Sequence, residues 1–433
     1  MGYIVAAALL IVGIFCHRKA KTWACPEALF CYEWALISFL ASLRLFGLYE
    51  ASWFTWIIIL IGSVSFVVGC SVGRKIKVNT YGIEEANSVK KDIITDRTFW
   101  IFAAVIIVYM IPSLVQSIHY MRLGVSLGDI RNASVAGLDT VEGYVRREGA
   151  VWEYIDLAIS VMDLLVMGHG IYEYIIGGQK NFKYIAAVLF IALIKTFSNG
   201  GRFVLAYMII ELLACMSINK IFGRDFISAM SVRLRRNVKR IVVLLAAVIV
   251  IVTLIRGAET AELLKKYYRY ICGNIIFFDL HVERMEGSSL LSCSFAGFYG
   301  LWAVVLPILN RFGISYPQLY LDTINEVMDG QTFLRIGDGL ITNAFITPFY
   351  HLYADFRLPG VILGMMFFGI IAGVLYKMVM LRKDGYSVVS YLIVTQVIFK
   401  TLQMYPFASK IYVFAFLVIW ILGKNIRITL RRR

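Results

Sequence analysis

Charge is scarce in this chain. Only 16% of its 433 residues are Asp, Glu, Lys or Arg, against a hydrophobic share of 60% and a mean hydropathy of +0.74. A soluble protein of this length would carry more charge, so a body exposed to water on all sides is excluded. The seven cysteines form no CxxC pair, which removes the usual zinc and thioredoxin-type signatures. Cys16, Cys31, Cys70 and Cys215 sit in apolar runs and read as small buried hydrophobes. Cys272 and Cys293 fall in a polar stretch and would pair only on an oxidising side. No basic n-region precedes the first apolar run, so no cleavable signal peptide is expected. Walker A, GxGxxG after a strand, GxSxG, HExxH and DxD are all missing. Nothing therefore calls for a metal or a cofactor, and nucleotide-sugar chemistry on a DxD-bound metal is disfavoured. Internal repeats and low-complexity segments are also absent, as is the inverted repeat of many transporters.

What the chain has instead is apolar runs. Several approach or reach the ~20 residues that cross hydrocarbon. Spans are expected at residues 3–16, 28–48, 52–72, 99–118, 151–176, 184–197, 204–218, 241–255, 358–378, 388–403 and 412–422. The expected fold class is an all-α polytopic membrane protein with about eleven transmembrane helices and one large external loop. That loop would hold short re-entrant or interfacial helices. The run 295–309 is short for a span and contains Pro307, so it reads as one of them. Pairing it with 271–280 as two half-spans would leave the topology unchanged. In chain order this gives a membrane domain over 1–255 with an external loop at 119–150, a large external loop over 256–357, and C-terminal spans with a basic tail over 358–433.

The net charge of +15 does not point to nucleic acid. Basic clusters follow the first, third, fifth, seventh and ninth spans, and Arg431-Arg432-Arg433 ends the chain. With eleven spans all of these fall on one side, which the positive-inside rule makes cytoplasmic. The two long loops are then external.

Three stretches could carry chemistry. The first is Ser198-Asn199-Gly200-Gly201-Arg202, between the sixth and seventh spans. Two glycines permit a tight turn, and the next helix offers free N–H groups beside Arg202, a combination suited to an anion. A plain hairpin with a snorkelling arginine is the alternative. Lys195 stands one turn earlier, with Asp163 of the fifth span as its expected counter-charge. Glu211 reads as a structural partner. The second is Lys265-Lys266-Tyr267-Tyr268-Arg269-Tyr270, where Tyr267 and Tyr270 could stack on sugars and Arg269 could meet phosphate. An interfacial belt helix has the same pattern. The third runs from Asn343 through Thr347-Pro348, Tyr350-His351, Asp355-Phe356 and Arg357 to Gly360. His351 and Asp355 are four apart and share a helical face, either as a general base with its partner or as a surface pair that steadies a helix. Arg131, Arg256, Arg284 and Arg335 complete the external guanidiniums that could bind pyrophosphate bidentately; carboxylates such as Asp279, Glu283 and Glu286 would pair with many of the basic groups.

The turn ending in Arg202, the run from Asn343 to Gly360 and the span-and-loop layout together resemble the O-antigen and capsule polymerases, the Wzy-type oligosaccharide repeat unit polymerases of bacterial envelopes. Two departures stand out. The distance from Arg131 to Gly143 is one residue longer than the Arg-to-Gly spacing of some members, and position 357 is Arg where Gly is expected. The resemblance implies a metal-independent membrane glycosyltransferase of the bacterial inner membrane. It would join lipid-linked repeat units on undecaprenyl pyrophosphate, with membrane lipid, a flippase and a chain-length regulator as partners. His351 and Asp355 would be catalytic. Arg131, Arg202, Arg256, Arg269, Arg284, Arg335, Tyr267 and Tyr270 would bind substrate. A glycan ligase, a flippase and a non-catalytic sensor are the competing readings.

Overall fold

The computed structural model describes residues 1–79, 92–136, 140–177, 182–222, 232–255, 263–328, 334–342, 346–423 and 427–429. Of the described residues 80% are helical. In chain order the helices are α1 (Gly2–Ala20), α2 (Pro26–Ser42), α3 (Trp53–Lys75), α4 (Asp96–Arg122), α5 (Leu127–Arg131), α6 (Ala150–Ile175), α7 (Phe182–Asn199), α8 (Phe203–Phe222), α9 (Val232–Ile255), α10 (Leu263–Glu286), α11 (Tyr299–Arg311), α12 (Gln318–Thr323), α13 (Thr347–Arg382), α14 (Gly385–Lys400) and α15 (Lys410–Leu422). Two small antiparallel ribbons accompany them: β1 (Lys77–Asn79) with β4 (Arg427–Thr429), and β2 (Leu334–Gly337) with β3 (Leu340–Thr342). Neither ribbon is signalled by alternation, because each strand is only three or four residues long.

Each of the eleven expected spans overlaps a helix, though 28–48 outruns α2, which ends at Ser42, and 388–403 outruns α14, which ends at Lys400. Seven helices among the described residues are long and apolar enough to cross a membrane: α1, α3, α4, α7, α8, α9 and α13. The chain is therefore a multi-pass membrane protein. The other four expected spans are weaker on physical grounds. Helices α2, α14 and α15 have 17, 16 and 13 residues, and α6 carries Glu153, Asp156, Asp163 and Glu173.

Local signals set the helix starts. Ser52 accepts the Thr55 N–H at 3.2 Å at the head of α3. Thr95 does the same for Thr98 before α4, and Ser126 for Asp129 before α5. Pro26 occupies the first turn of α2, where its missing N–H costs nothing.

Two compact units form, each from separated stretches of chain. The first gathers residues 1–89, 264–382 and 397–433. Its centre is the crossing of α3 and α13. A Cβ at Gly69 would meet the Met366 carbonyl oxygen at 2.2 Å, and one at Gly373 would meet the Cys70 oxygen at 2.3 Å. Only glycine lets the two backbones approach this closely. Around the seam, Trp34 donates to Thr401 Oγ1 at 3.1 Å, Asn274 to the Leu402 oxygen at 3.0 Å, and Tyr405 to the Gly364 oxygen at 2.8 Å. Helix α10 is amphipathic. Among the described residues its Asp279 pairs with no base: the carboxylate accepts Ser52 Oγ at 2.5 Å and Thr55 Oγ1 at 2.6 Å, tying the helix to the start of α3.

The second unit gathers residues 90–263 and 383–396. Helix α7 packs on α4 and α6, and α8 packs on α6 and α9. His169 of α6 is fully buried, with the rings of Phe99 and Tyr184 at 5.5 and 6.2 Å and no hydrogen bond to either ring nitrogen.

Candidate functional site

In the second unit, α7 ends at Asn199 and α8 begins at Phe203, so Ser198-Asn199-Gly200-Gly201-Arg202 is a turn between two helices, as its glycines predict. Gly200 has φ +63°, a region that favours glycine. Asn199 Oδ1 accepts the Gly201 N–H at 3.0 Å, and Ser117 Oγ donates to the Ser198 oxygen at 2.6 Å. Arg131 lies against this turn: a Cβ at Gly200 would stand 3.2 Å from Arg131 Cβ, and one at Gly201 3.4 Å from Arg131 Nη1. Two arginines far apart in sequence thus flank one glycine pair. Arg202 itself is buried, and its guanidinium donates to Thr253 Oγ1.

Beside the turn lies a cavity of about 610 Å³. Lys195, Ser198 and Asn199 form one wall. Lys195 Nζ is 2.5 Å from Asp163 Oδ2, the pairing expected from sequence. The lining also includes a stack built on Arg147. Its guanidinium sits 4.0 Å from the Tyr109 ring centroid and 5.4 Å from that of Trp152, and Nη2 donates to the Tyr109 oxygen at 2.8 Å. The Tyr109 hydroxyl donates to Asp156. Burial raises the Tyr144 phenol, which also lines the space. Three bases (Lys195, Arg146, Arg147) and three acids (Glu148, Glu153, Asp156) line the space, so the lining is close to neutral. Such walls suit a ligand that combines hydroxyls with a phosphate better than a bare polyanion.

The first unit holds a smaller pocket of about 240 Å³, lined by His281, Arg284, Ser292, Asn325, Glu326 and Arg357 among others. Arg284 is exposed there. Arg357 is largely committed to the protein: Nη2 donates to the carbonyl oxygens of Met285, Ser288 and Leu290 at 2.6, 2.9 and 3.2 Å. Its backbone has φ +53° and ψ −141° and kinks α13. The glycine expected at this position matches that conformation, and the arginine accepts the strain in return for its clamp on residues 285–290.

The expected couple of His351 and Asp355 is not formed. His351 is fully buried and neither ring nitrogen has a hydrogen-bond partner. Asp355 instead accepts the N–H groups of Ala296 at 3.1 Å and Gly297 at 2.9 Å. The physical reason is that residues 347–355 are buried on every side, so the shared face of an i, i+4 pair opens onto protein.

The other sequence-based candidates are dispersed. Arg269 lies 5.5 Å over the Tyr270 ring, and Tyr267 is half-buried. Tyr268 of that run has a structural role: its hydroxyl takes the Leu45 N–H at 3.0 Å and donates to the Leu40 oxygen at 2.8 Å. Arg335 is exposed and paired with Asp338 at 3.4 Å. Cys272 and Cys293 are both free, and burial pushes the Cys272 thiol up to about 12. Arg256, Glu259, Glu262, Asn343, Ala344, Phe345 and Arg431-Arg432-Arg433 lie outside the described residues. Sequence reasoning missed His281 and the Tyr109–Arg147–Trp152 stack. The signal for His281 was its i, i+3 spacing from Arg284 on α10; the stack joins three elements and leaves no local pattern.

No family model, no curated protein and no solved structure matches this chain.

Proposed function

We propose that this protein is a metal-independent membrane glycosyltransferase that polymerises lipid-linked oligosaccharide units, with the turn Ser198-Asn199-Gly200-Gly201-Arg202 and its cavity as the place where the lipid pyrophosphate is held. The reading places eleven spans in a bacterial inner membrane, with this turn on the outer face. In the reaction an acceptor sugar hydroxyl attacks the anomeric carbon of the growing chain. The bond from that carbon to pyrophosphate oxygen breaks, the lipid pyrophosphate leaves with the electron pair, and the hydroxyl proton passes to a base. Guanidiniums can stabilise the charge that develops on the leaving group without a metal.

The observation that carries the reading is the approach of Arg131 to the Gly200-Gly201 pair, 3.4 Å from Nη1 to the Cβ position of Gly201. A polar cavity opens beside it, lined by Lys195, Arg146 and Arg147. The test is complementation of a strain deleted for this gene, with polymer length read on gels and expression followed by a tag. Arg131→Ala and Arg202→Ala are expected to abolish long chains at normal expression. Arg202→Lys is expected to restore little, since a point charge cannot form a bidentate pair. Long unattached chains in the deletion strain would make the protein a ligase, and units retained inside would make it a flippase. Full-length polymer with both alanine variants would remove the basis of the reading.

A further inference from the structure

The reaction proposed above needs a base for the acceptor hydroxyl, and the couple expected from sequence does not supply one. His351 is fully buried, and Asp355 is bonded to two backbone N–H groups. The cavity beside the glycine turn offers three other carboxylates: Glu148, Glu153 and Asp156. Glu148 lies 3.6 Å from Arg146. Glu153 stands in the first turn of α6, where a negative charge complements the helix dipole. Asp156 differs from both. It is exposed, and among the described residues no Lys or Arg stands within ion-pair distance of it.

Asp156 is also held in place. Its Oδ1 accepts the Tyr109 hydroxyl. The Tyr109 ring is fixed in turn by Arg147, whose guanidinium lies 4.0 Å from the centroid and bonds the Tyr109 oxygen at 2.8 Å. A carboxylate with one oxygen anchored and the other free matches what a general base requires, since proton transfer depends on a fixed approach. Its position on α6 fits the reaction as well. Glu153, Asp156, Ser160 and Asp163 are spaced three, four and three residues apart, so they share one helical face. Asp163 holds Lys195 at one end of that face, and both Lys195 and Asp156 line the cavity. Seven residues of helix separate Asp156 from Asp163, roughly 10 Å along the axis. An in-line array of base, hydroxyl, anomeric carbon, leaving oxygen and cation also spans on the order of 10 Å.

We propose that Asp156 is the general base of the transfer, with the lipid pyrophosphate held at the Lys195 end of the same cavity. The assignment rests on the polymerase reading above and names the group that reading leaves open. The acceptor hydroxyl gives its proton to the free Asp156 Oδ2 as its oxygen bonds to the anomeric carbon. The bond from that carbon to pyrophosphate breaks, and its electron pair leaves with the lipid pyrophosphate. Water then takes the proton from Asp156.

The experiment uses the purified full-length protein in detergent. Its substrate is the pool of lipid-linked units extracted from the strain deleted for this gene. Binding is read from tryptophan fluorescence and turnover from polymer formed. Asp156→Ala is expected to lower turnover by about 10²–10⁴-fold, with substrate affinity and thermal midpoint unchanged. Added formate, a small carboxylate that fits the vacated space, is expected to restore turnover in a dose-dependent way. Asp156→Asn fills that space and should be as slow without responding to formate. It keeps an oxygen for the Tyr109 hydroxyl, so it reports the role even if the alanine variant unfolds. Near-normal turnover in either variant would overturn the assignment. So would a loss matched by weaker binding or a lower midpoint, or a folded alanine variant that formate leaves inactive. Wild-type protein that makes no polymer from these units would overturn the polymerase reading and the base with it. Polymer lost in Arg131→Ala and Arg202→Ala but kept in both Asp156 variants would overturn the base alone.

Discussion

Lys195 Nζ stands 2.5 Å from Asp163 Oδ2, joining α7 to α6 inside the second unit. Both residues sit in apolar helices, where an ionised group without a partner is costly. Lys195→Ala should therefore strand the aspartate and lower stability by about 1–3 kcal/mol. The double variant Lys195→Met with Asp163→Leu removes both charges and should recover most of that loss. Thermal unfolding in detergent checks this; a double variant as unstable as the single one would show that the pair does not act as a couple.

Asp355 should behave as a structural latch. Its two oxygens accept the N–H groups of Ala296 and Gly297. Asp355→Asn turns one acceptor into a donor facing an N–H, with an expected cost of about 1–3 kcal/mol. The thermal midpoint should drop while turnover per folded molecule stays near normal. A variant that is fully stable and inactive would return Asp355 to the chemistry.

Position 357 separates backbone strain from side-chain contact. Arg357→Ala loses the clamp on residues 285–290 and keeps φ +53° in a residue with a Cβ. Arg357→Gly loses the same clamp and relieves the strain. Glycine should be the more stable of the two by about 1 kcal/mol, as measured by denaturant or thermal midpoints. Equal stabilities would mean that the kink carries no strain.

His281 gives a pH dependence. Burial, with Arg284 beside it, lowers its pKa from 6.5 to about 4. Between those values the unfolded chain binds the proton and the folded chain does not, so stability rises with pH across that window. The loss approaches roughly 3 kcal/mol below pH 4. His281→Gln should flatten the profile of thermal midpoint between pH 4 and 6.5. An unchanged slope would show that another group titrates there.

The pair of Lys195 and Asp163 was legible in the sequence because a charge within an apolar run must find a partner, and few were on offer. The glycine turn was legible for a similar reason: few local conformations accommodate that composition. His351 and Asp355 were misread because periodicity gives a shared face but not what covers it. Here residues from 296 to 297 reach back across the chain to take the carboxylate. Arg131 was recognised as a candidate, but its approach to Gly200 depends on how α5 packs on α7, and no local rule encodes that.

The close crossing of α3 and α13 also has a consequence for how the molecule is made. Gly69 is synthesised 300 residues before Gly369. At ~5–20 residues per second this separates the two halves of the seam by on the order of 15–60 s. During that interval α3 is complete and its groove has no backbone to fill it, so lipid chains or an insertion factor must occupy the space until α13 arrives. Assembly of the first unit is thus timed by its C-terminal half, and a ribosome that stops before residue 373 leaves a helix with an open flank for quality control to find.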